Sequence, residues 1–177
     1  MVVVVDIESD GPLYGVNSMI SFGAVIIDKN GLLNKTFYGK CKPVGDEFIP
    51  EALAVSGFSR EETLTFEDPK VVMLRFNNWL EENKKDKKDS PQFYSDNNGF
   101  DWGWMNYYLL RFTGENPFGF SSTNIGSLYK GLVKDMFQNF KHLRKTKHTH
   151  NPVDDAKGNI EALFYMKNNL GLNIIID

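Results

Sequence analysis

Met1-Val-Val-Val-Val-Asp-Ile-Glu-Ser-Asp-Gly11 opens the chain and sets its architecture. Four consecutive β-branched residues, Val2 to Val5, lack any polar alternation. That is the pattern of a short strand buried on both faces, and so of one in the middle of a sheet. The apolar run stops at Asp6 and Glu8, and side chains two apart on a strand project to the same side. Two carboxylates side by side repel each other unless a cation sits between them. This local conflict points to a metal site. An acidic strand end that simply faces water accounts for Asp-x-Glu as well, so the pair needs partners further along. Ser9-Asp10-Gly11-Pro12 is turn chemistry, which places the acids at the carboxyl end of a strand, where α/β sheets bind their ligands.

Working outward, residues 18–27 (SMISFGAVII) and 32–41 (LLNKTFYGKC) are the next strand candidates. Asp28-Lys29-Asn30-Gly31 between them is a hairpin signal. Gly23 inside the first of these strands marks a bulge or a close backbone approach. Residues 49–55 read as a short helix, and Ser59-Arg60-Glu61-Glu62 as a turn or helix start. Asp68-Pro69 opens a longer helix with Asp68 as N-cap, and Val72, Leu74, Phe76, Trp79 and Leu80 give it an apolar face as far as about Asn83. Residues 81–90 interleave acids with lysines and read as a solvated helix end and loop.

Pro91 to Ser95 is a further strand, broken by Asp96-Asn97-Asn98-Gly99. Residues 100–112 form an aromatic-rich helix whose rings lie on more than one face and belong to the core rather than to a base-stacking platform. Residues 114–126 read as a loop and 127–140 as a helix with Leu128, Leu132, Met136 and Phe140 inward. Residues 152–169 form the last helix, and Ile174 to Ile176 are a candidate terminal strand. Strands and helices in this order imply a mixed α/β sheet with helices on its faces.

With 177 residues and no internal repeat, the chain is expected to form one domain, 1–177. Cys41 is the only cysteine, which excludes an intrachain disulfide and a cysteine-built zinc site. No apolar run approaches 18 residues and no basic segment precedes an apolar core, so a cytoplasmic location away from membranes is expected. The net charge of −3 argues against binding nucleic acid through overall positive charge. It leaves open an enzyme acting on nucleic acid, because a carboxylate-built site adds negative charge by construction.

Two further patches share the strand-end address. Asp101 follows Phe100 directly after a strand, although an acid in the first turn of a helix also suits the helix dipole. In His150-Asn-Pro-Val-Asp-Asp155, Asn151 is an N-cap and Pro152 the first helical residue, which leaves His150 on the preceding loop. Asp154 is assigned to the helix dipole. Asp155 points about 100° away from it and faces the sheet with Ala156 and Ile160. Asp6, Glu8, Asp101, Asp155 and His150 together make a hard, oxygen-rich donor set suited to Mg²⁺ or Mn²⁺ rather than zinc. Two such ions about 3.5–4 Å apart form the clamp used for in-line attack on phosphate esters.

Asp6-Ile-Glu8, Asn97-Asn-Gly-Phe-Asp101 and His150-Asn-Pro-Val-Asp-Asp155 resemble, in order and spacing, the three motifs of the DEDDh exonucleases. That family includes polymerase proofreading subunits and oligoribonuclease. The resemblance implies an RNase H-like fold, a mixed five-stranded sheet with helices on both faces. It also implies metal-dependent 3′–5′ hydrolysis at a DNA or RNA 3′ end, releasing nucleoside 5′-monophosphates. Asp6, Glu8, Asp101 and Asp155 would hold two Mg²⁺ or Mn²⁺ ions and His150 would be the general base. Ser9, Asp10, Asn97 and Phe100 would meet the terminal nucleotide. Ser9-Asp10 stands where the family often has two threonines, Asp96 where a histidine is frequent, and Pro152 where an alanine is frequent.

Lys141, Arg144, Lys145 and Lys147 beside His150 are candidates for steering the phosphate backbone. A polymerase or another replication or repair protein is a candidate partner, and the oligomeric state is left open. Two other readings compete: a catalytically idle nucleic-acid-binding or polymerase-associated module, and an RNase H-type endonuclease.

Overall fold

The protein is described here by a computed structural model, which covers residues 1–174 and 176. Strand β1 runs Val2–Ser9. It does not stop at Val5 but carries Asp6 and Glu8 within the ladder, opposite Gly23 and Ser21 of β2 (Met19–Ile26). Strand β3 is Thr36–Lys40, β4 is Gln92–Ser95 and β5 is Ser122–Asn124. The sheet order is β3-β2-β1-β4-β5, so the valine run is central, as its apolar character predicts. Strands β1, β2 and β3 pair antiparallel, while β4 and β5 continue from β1 in parallel. The result is the mixed five-stranded sheet expected from the sequence.

Alternation along β1 feeds two cores. Val3, Val5 and Ile7 pack against α3 (Pro69–Asn83) and α4 (Asn98–Thr113), through Phe76, Leu80, Trp104 and Tyr108 among others. Val2 and Val4 face α5 (Ile125–Val133) and α6 (Pro152–Asn169), through Ile125, Tyr129, Ile160 and Leu163. Two shorter helices, α1 (Pro50–Val55) and α2 (Arg60–Thr63), bridge the antiparallel half to α3. Among the described residues no helix is long and apolar enough to cross a membrane.

Local chemistry explains the boundaries. Asp68 accepts a bond from Lys70 N and Asn151 one from Val153 N, the caps read from sequence. The expected loop at 114–126 instead contains β5, a three-residue polar strand whose place is fixed by pairing with β4. The helix expected over 127–140 is α5, which starts two residues earlier and ends at Val133, where Lys134 turns left-handed at φ 57°. Met136 is consequently 70% exposed outside the helix, while Phe140 is buried by other means. Of the candidate strand at Ile174–Ile176, Ile174 and Ile176 are not in a strand and residue 175 lies outside the described residues. Cys41, at the end of β3, is fully buried, and burial pushes its thiol far above its ordinary value.

Candidate active site

Three elements converge at the carboxyl end of β1. Asp6 and Glu8 are even-numbered strand residues and so project toward α6. The first turn of α6 reaches them because Gly23 lies opposite Asp6 and has no side chain. A Cβ on Gly23 would stand 2.3 Å from the Pro152 carbonyl carbon and the Val153 nitrogen. The close approach read at Gly23 is therefore real, and it seats Asp155 on the sheet. One oxygen each of Asp6, Glu8 and Asp155 lies within 4.8 Å of the others. Asp101 enters from the first turn of α4, where its carboxylate accepts a bond from Asn97 N at 3.2 Å. It stands beside that triad of carboxylates, close enough to Asp6 for the two charges to repel.

The electrostatics are those of a site built for a cation. Burial, then repulsion from Asp101, Asp155 and Glu8, holds Asp6 well above the ordinary carboxylate value, with Arg144 pulling weakly the other way. Burial, with Asp155, pushes Glu8 up to about 7. Burial pushes Asp101 up to about 8, against the bonds it accepts from Ser95 and the Asn97 main chain. Among the described residues the buried Oδ2 of Asp155 has no hydrogen-bond partner. Buried carboxylates that are crowded together and incompletely bonded fit a hard divalent cation.

The loop before α6 supplies the imidazoles. His150 takes a left-handed φ of 58°, and its Nδ1 lies 3.6 Å from Glu8 Oε1. His148, which the sequence reading passed over, has its Nδ1 2.8 Å from Asp155 Oδ1. No motif marks it; only the curl of the loop brings it there. Thr149 N donates to that same Asp155 oxygen, and Glu161 of α6 accepts from Lys145 N and Thr146 N. Asp154 turns outward, 3.5 Å from Lys157, in keeping with its structural assignment.

The expected substrate-contacting residues separate. Asn97 is exposed and lines a groove of about 340 Å³ with Asp96, Asn124, Ser127, Lys130 and Lys141. Phe100 is half-buried, with its ring edge-on to Trp104. Asp10, by contrast, is fully buried, accepting from Ser18 N and paired with Arg60 at 3.2 Å. The β1–β2 register slips between Glu8 and Ser9, so Asp10 leaves the face that Asp6 and Glu8 share. Ser9 is also buried, donating to Gly11 O. Arg144 corrects the picture of a basic steering loop. Its side chain is 6% exposed and bonded to Asp96 and Asn159, with the guanidinium over Phe140. Lys141 also faces Asp96 but remains exposed, as do Lys145 and Lys147.

Comparison with known proteins agrees with this geometry. The exonuclease (RNase_T) family pattern matches residues 3–163. The 3′–5′ DNA exonuclease Cap18 of Escherichia coli is 36% identical over 129 residues, covering 72% of this chain and 67% of that protein. The nuclease domain of 3′hExo, a DEDDh family member solved bound to rAMP, superposes with a TM-score of 0.77 at 15% identity, covering 98% of this chain and 95% of that one. Cell-death related nuclease 4 gives the same TM-score at 16% identity, covering 94% of this chain and 63% of that one. At such low identity these two structures speak for the fold alone.

Proposed function

The chain belongs to the exonuclease (RNase_T) family, and from that premise we propose that it is a DEDDh-type member that removes nucleotides one at a time from the 3′ end of DNA. The observation that carries this reading is the convergence of Asp6, Glu8 and Asp155, with Asp101 beside them, at one strand end below His150. DNA rather than RNA is favoured by the identity shared with Cap18, a DNA exonuclease.

Asp6, Glu8 and Asp155 are positioned to hold one divalent cation, and Asp6 with Asp101 a second. Divalent ions held there would supply charge neutralisation, for the carboxylates and for the 3′-oxygen as it leaves. His150 acts as the general base. Its Nδ1 is turned to Glu8, which leaves Nε2 to take the proton of the attacking water. Asp155 holds the loop through Thr149 N and so positions His150. Lys130 and Lys141, in the groove beside Asn97, supply the positive charge that a phosphate backbone entering that groove would meet.

The test follows shortening of 3′- and 5′-labelled DNA and RNA oligomers, and of circular single-stranded DNA, with Mg²⁺, Mn²⁺ or EDTA. Metal-dependent release of 5′-mononucleotides from DNA 3′ ends, abolished in Asp6→Ala and His150→Ala, is the expected result. Cutting of the circle would replace the exonuclease with an endonuclease. Metal binding without cleavage of any polymer would leave a binding module.

A further inference from the structure

Two of the three histidines, treated singly in the sequence, meet in the fold. The imidazoles of His148 and His150 stand edge to face with centroids 4.3 Å apart. Donor atoms of His148, His150 and Asp155 all lie within 4.8 Å of one another. An ordinary hydrogen bond between His148 and Asp155 explains their 2.8 Å separation, but not why the loop curls a second imidazole, that of His150, onto the same pair. The loop is also built rather than loose. Glu161 ties its start to α6 through Lys145 N and Thr146 N, and Thr149 N ties its end to Asp155.

We propose that His148, His150 and Asp155 form a second cation site, selective for Zn²⁺ or a similarly borderline-soft ion, whose occupation switches the hydrolytic site off. Two imidazoles and one carboxylate are a poor set for Mg²⁺, which prefers oxygen, and a good one for zinc. Three protein ligands leave a fourth position open to water. The imidazoles are half exposed while Asp155 is buried, so an ion can enter from solvent and meet a fixed carboxylate at the floor. Tetrahedral zinc with bonds of about 2.0–2.1 Å sets its donors about 3.3 Å apart. Reaching that spacing means opening the 2.8 Å His148–Asp155 contact by about half an ångström and drawing the His150 donor in from within 4.8 Å, both of them movements of the same loop. Asp155 belongs also to the carboxylate triad and His150 to the proposed chemistry, so the two uses exclude each other. The inhibitory consequence rests on the exonuclease reading; the site itself does not.

Zn²⁺ is titrated into EDTA-stripped protein by calorimetry, with Co²⁺ substituted to record its visible ligand-field band. The variants are His148→Ala and His148→Gln, the second keeping a polar side chain in the loop. Partners that merely support a ligand are worth 10–100-fold in metal affinity, so losing a ligand costs at least about tenfold. Both variants are expected to bind Zn²⁺ at least about tenfold more weakly and to lose the tetrahedral Co²⁺ band. Both are expected to keep Mg²⁺-supported hydrolysis and to need correspondingly more Zn²⁺ for inhibition. An unchanged Zn²⁺ affinity and Co²⁺ band in both variants would overturn the site. If the site binds but the protein hydrolyses nothing, the exonuclease reading fails and the zinc site stands.

Discussion

At the scale of single residues, the same aspartate type serves opposite ends in this chain. Asp6 is crowded by Asp101, Asp155 and Glu8, whereas Asp10, four residues on, is neutralised by Arg60 and Ser18 N. Raised carboxyl values have a signed consequence. Below about pH 4 the folded and unfolded chains are both protonated and these groups cost nothing. As pH rises, the unfolded chain releases its protons first, so stability falls until Glu8 and Asp101 titrate near 7 and 8. Thermal melts in EDTA should therefore show a midpoint that declines from about pH 5 to 8, and Mg²⁺ should restore more at pH 8 than at pH 5. Asp6→Asn should melt higher than the parent in EDTA at pH 8 while hydrolysing nothing; each kcal/mol relieved is worth roughly 2–4 °C at this size. Arg60→Ala should do the reverse. It leaves Asp10 buried without its partner, a loss of about 3–5 kcal/mol read by denaturant unfolding, with the Michaelis constant of the surviving protein unmoved. Asp154→Asn should spare hydrolysis where Asp155→Asn abolishes it, since Asp154 faces Lys157 and Asp155 faces Asp6.

At the scale of elements, what decided the site is a residue with no side chain. Gly23→Ala would press a methyl into the backbone of the first turn of α6, and relief requires the helix to lift. A displacement of about 1 Å at a reacting group costs on the order of 100-fold in rate, and overpacking about 1–3 kcal/mol in stability. Single-turnover rates set beside thermal melts should show that disproportion. Much of this was legible beforehand: Val2 to Val5 as a central strand, Asp68 and Asn151 as caps, and the ordered acids. What was not legible has physical causes. Strand β5 is Ser-Thr-Asn, with no apolar residue to announce it, and exists because β4 offers a parallel edge. Helix α5 stops at a left-handed lysine that no propensity forecasts. Asp10 enters as a substrate contact through the family resemblance alone, which carries no sign of the register slip after Glu8 or of the Arg60 pairing that buries it. The burial of Arg144 and the arrival of His148 at Asp155 escape the sequence for a related reason: loop residues take their partners from elements distant in sequence.

At the scale of the molecule, β1 belongs to both cores, with Val3 and Val5 in one and Val2 and Val4 in the other. Neither layer can open without exposing the strand it shares. Heat unfolding is accordingly expected as one transition in which near- and far-ultraviolet dichroism coincide, with calorimetric and van't Hoff enthalpies equal. Val4→Ala and Val5→Ala, on opposite faces, should each lower that same transition by about 2 kcal/mol rather than split it. Cys41 adds a built-in clock. Its thiol is sealed at the end of β3, with its main-chain N–H bonded to Ile20 O of β2, and burial keeps it from ionising. A thiol reagent can reach it only while the outer strand has peeled from its neighbour, so the labelling rate in native buffer counts those openings one by one. The strand left bare at such moments is the one that carries Gly23, so the clock also times how often the seat of α6 loses its outer support.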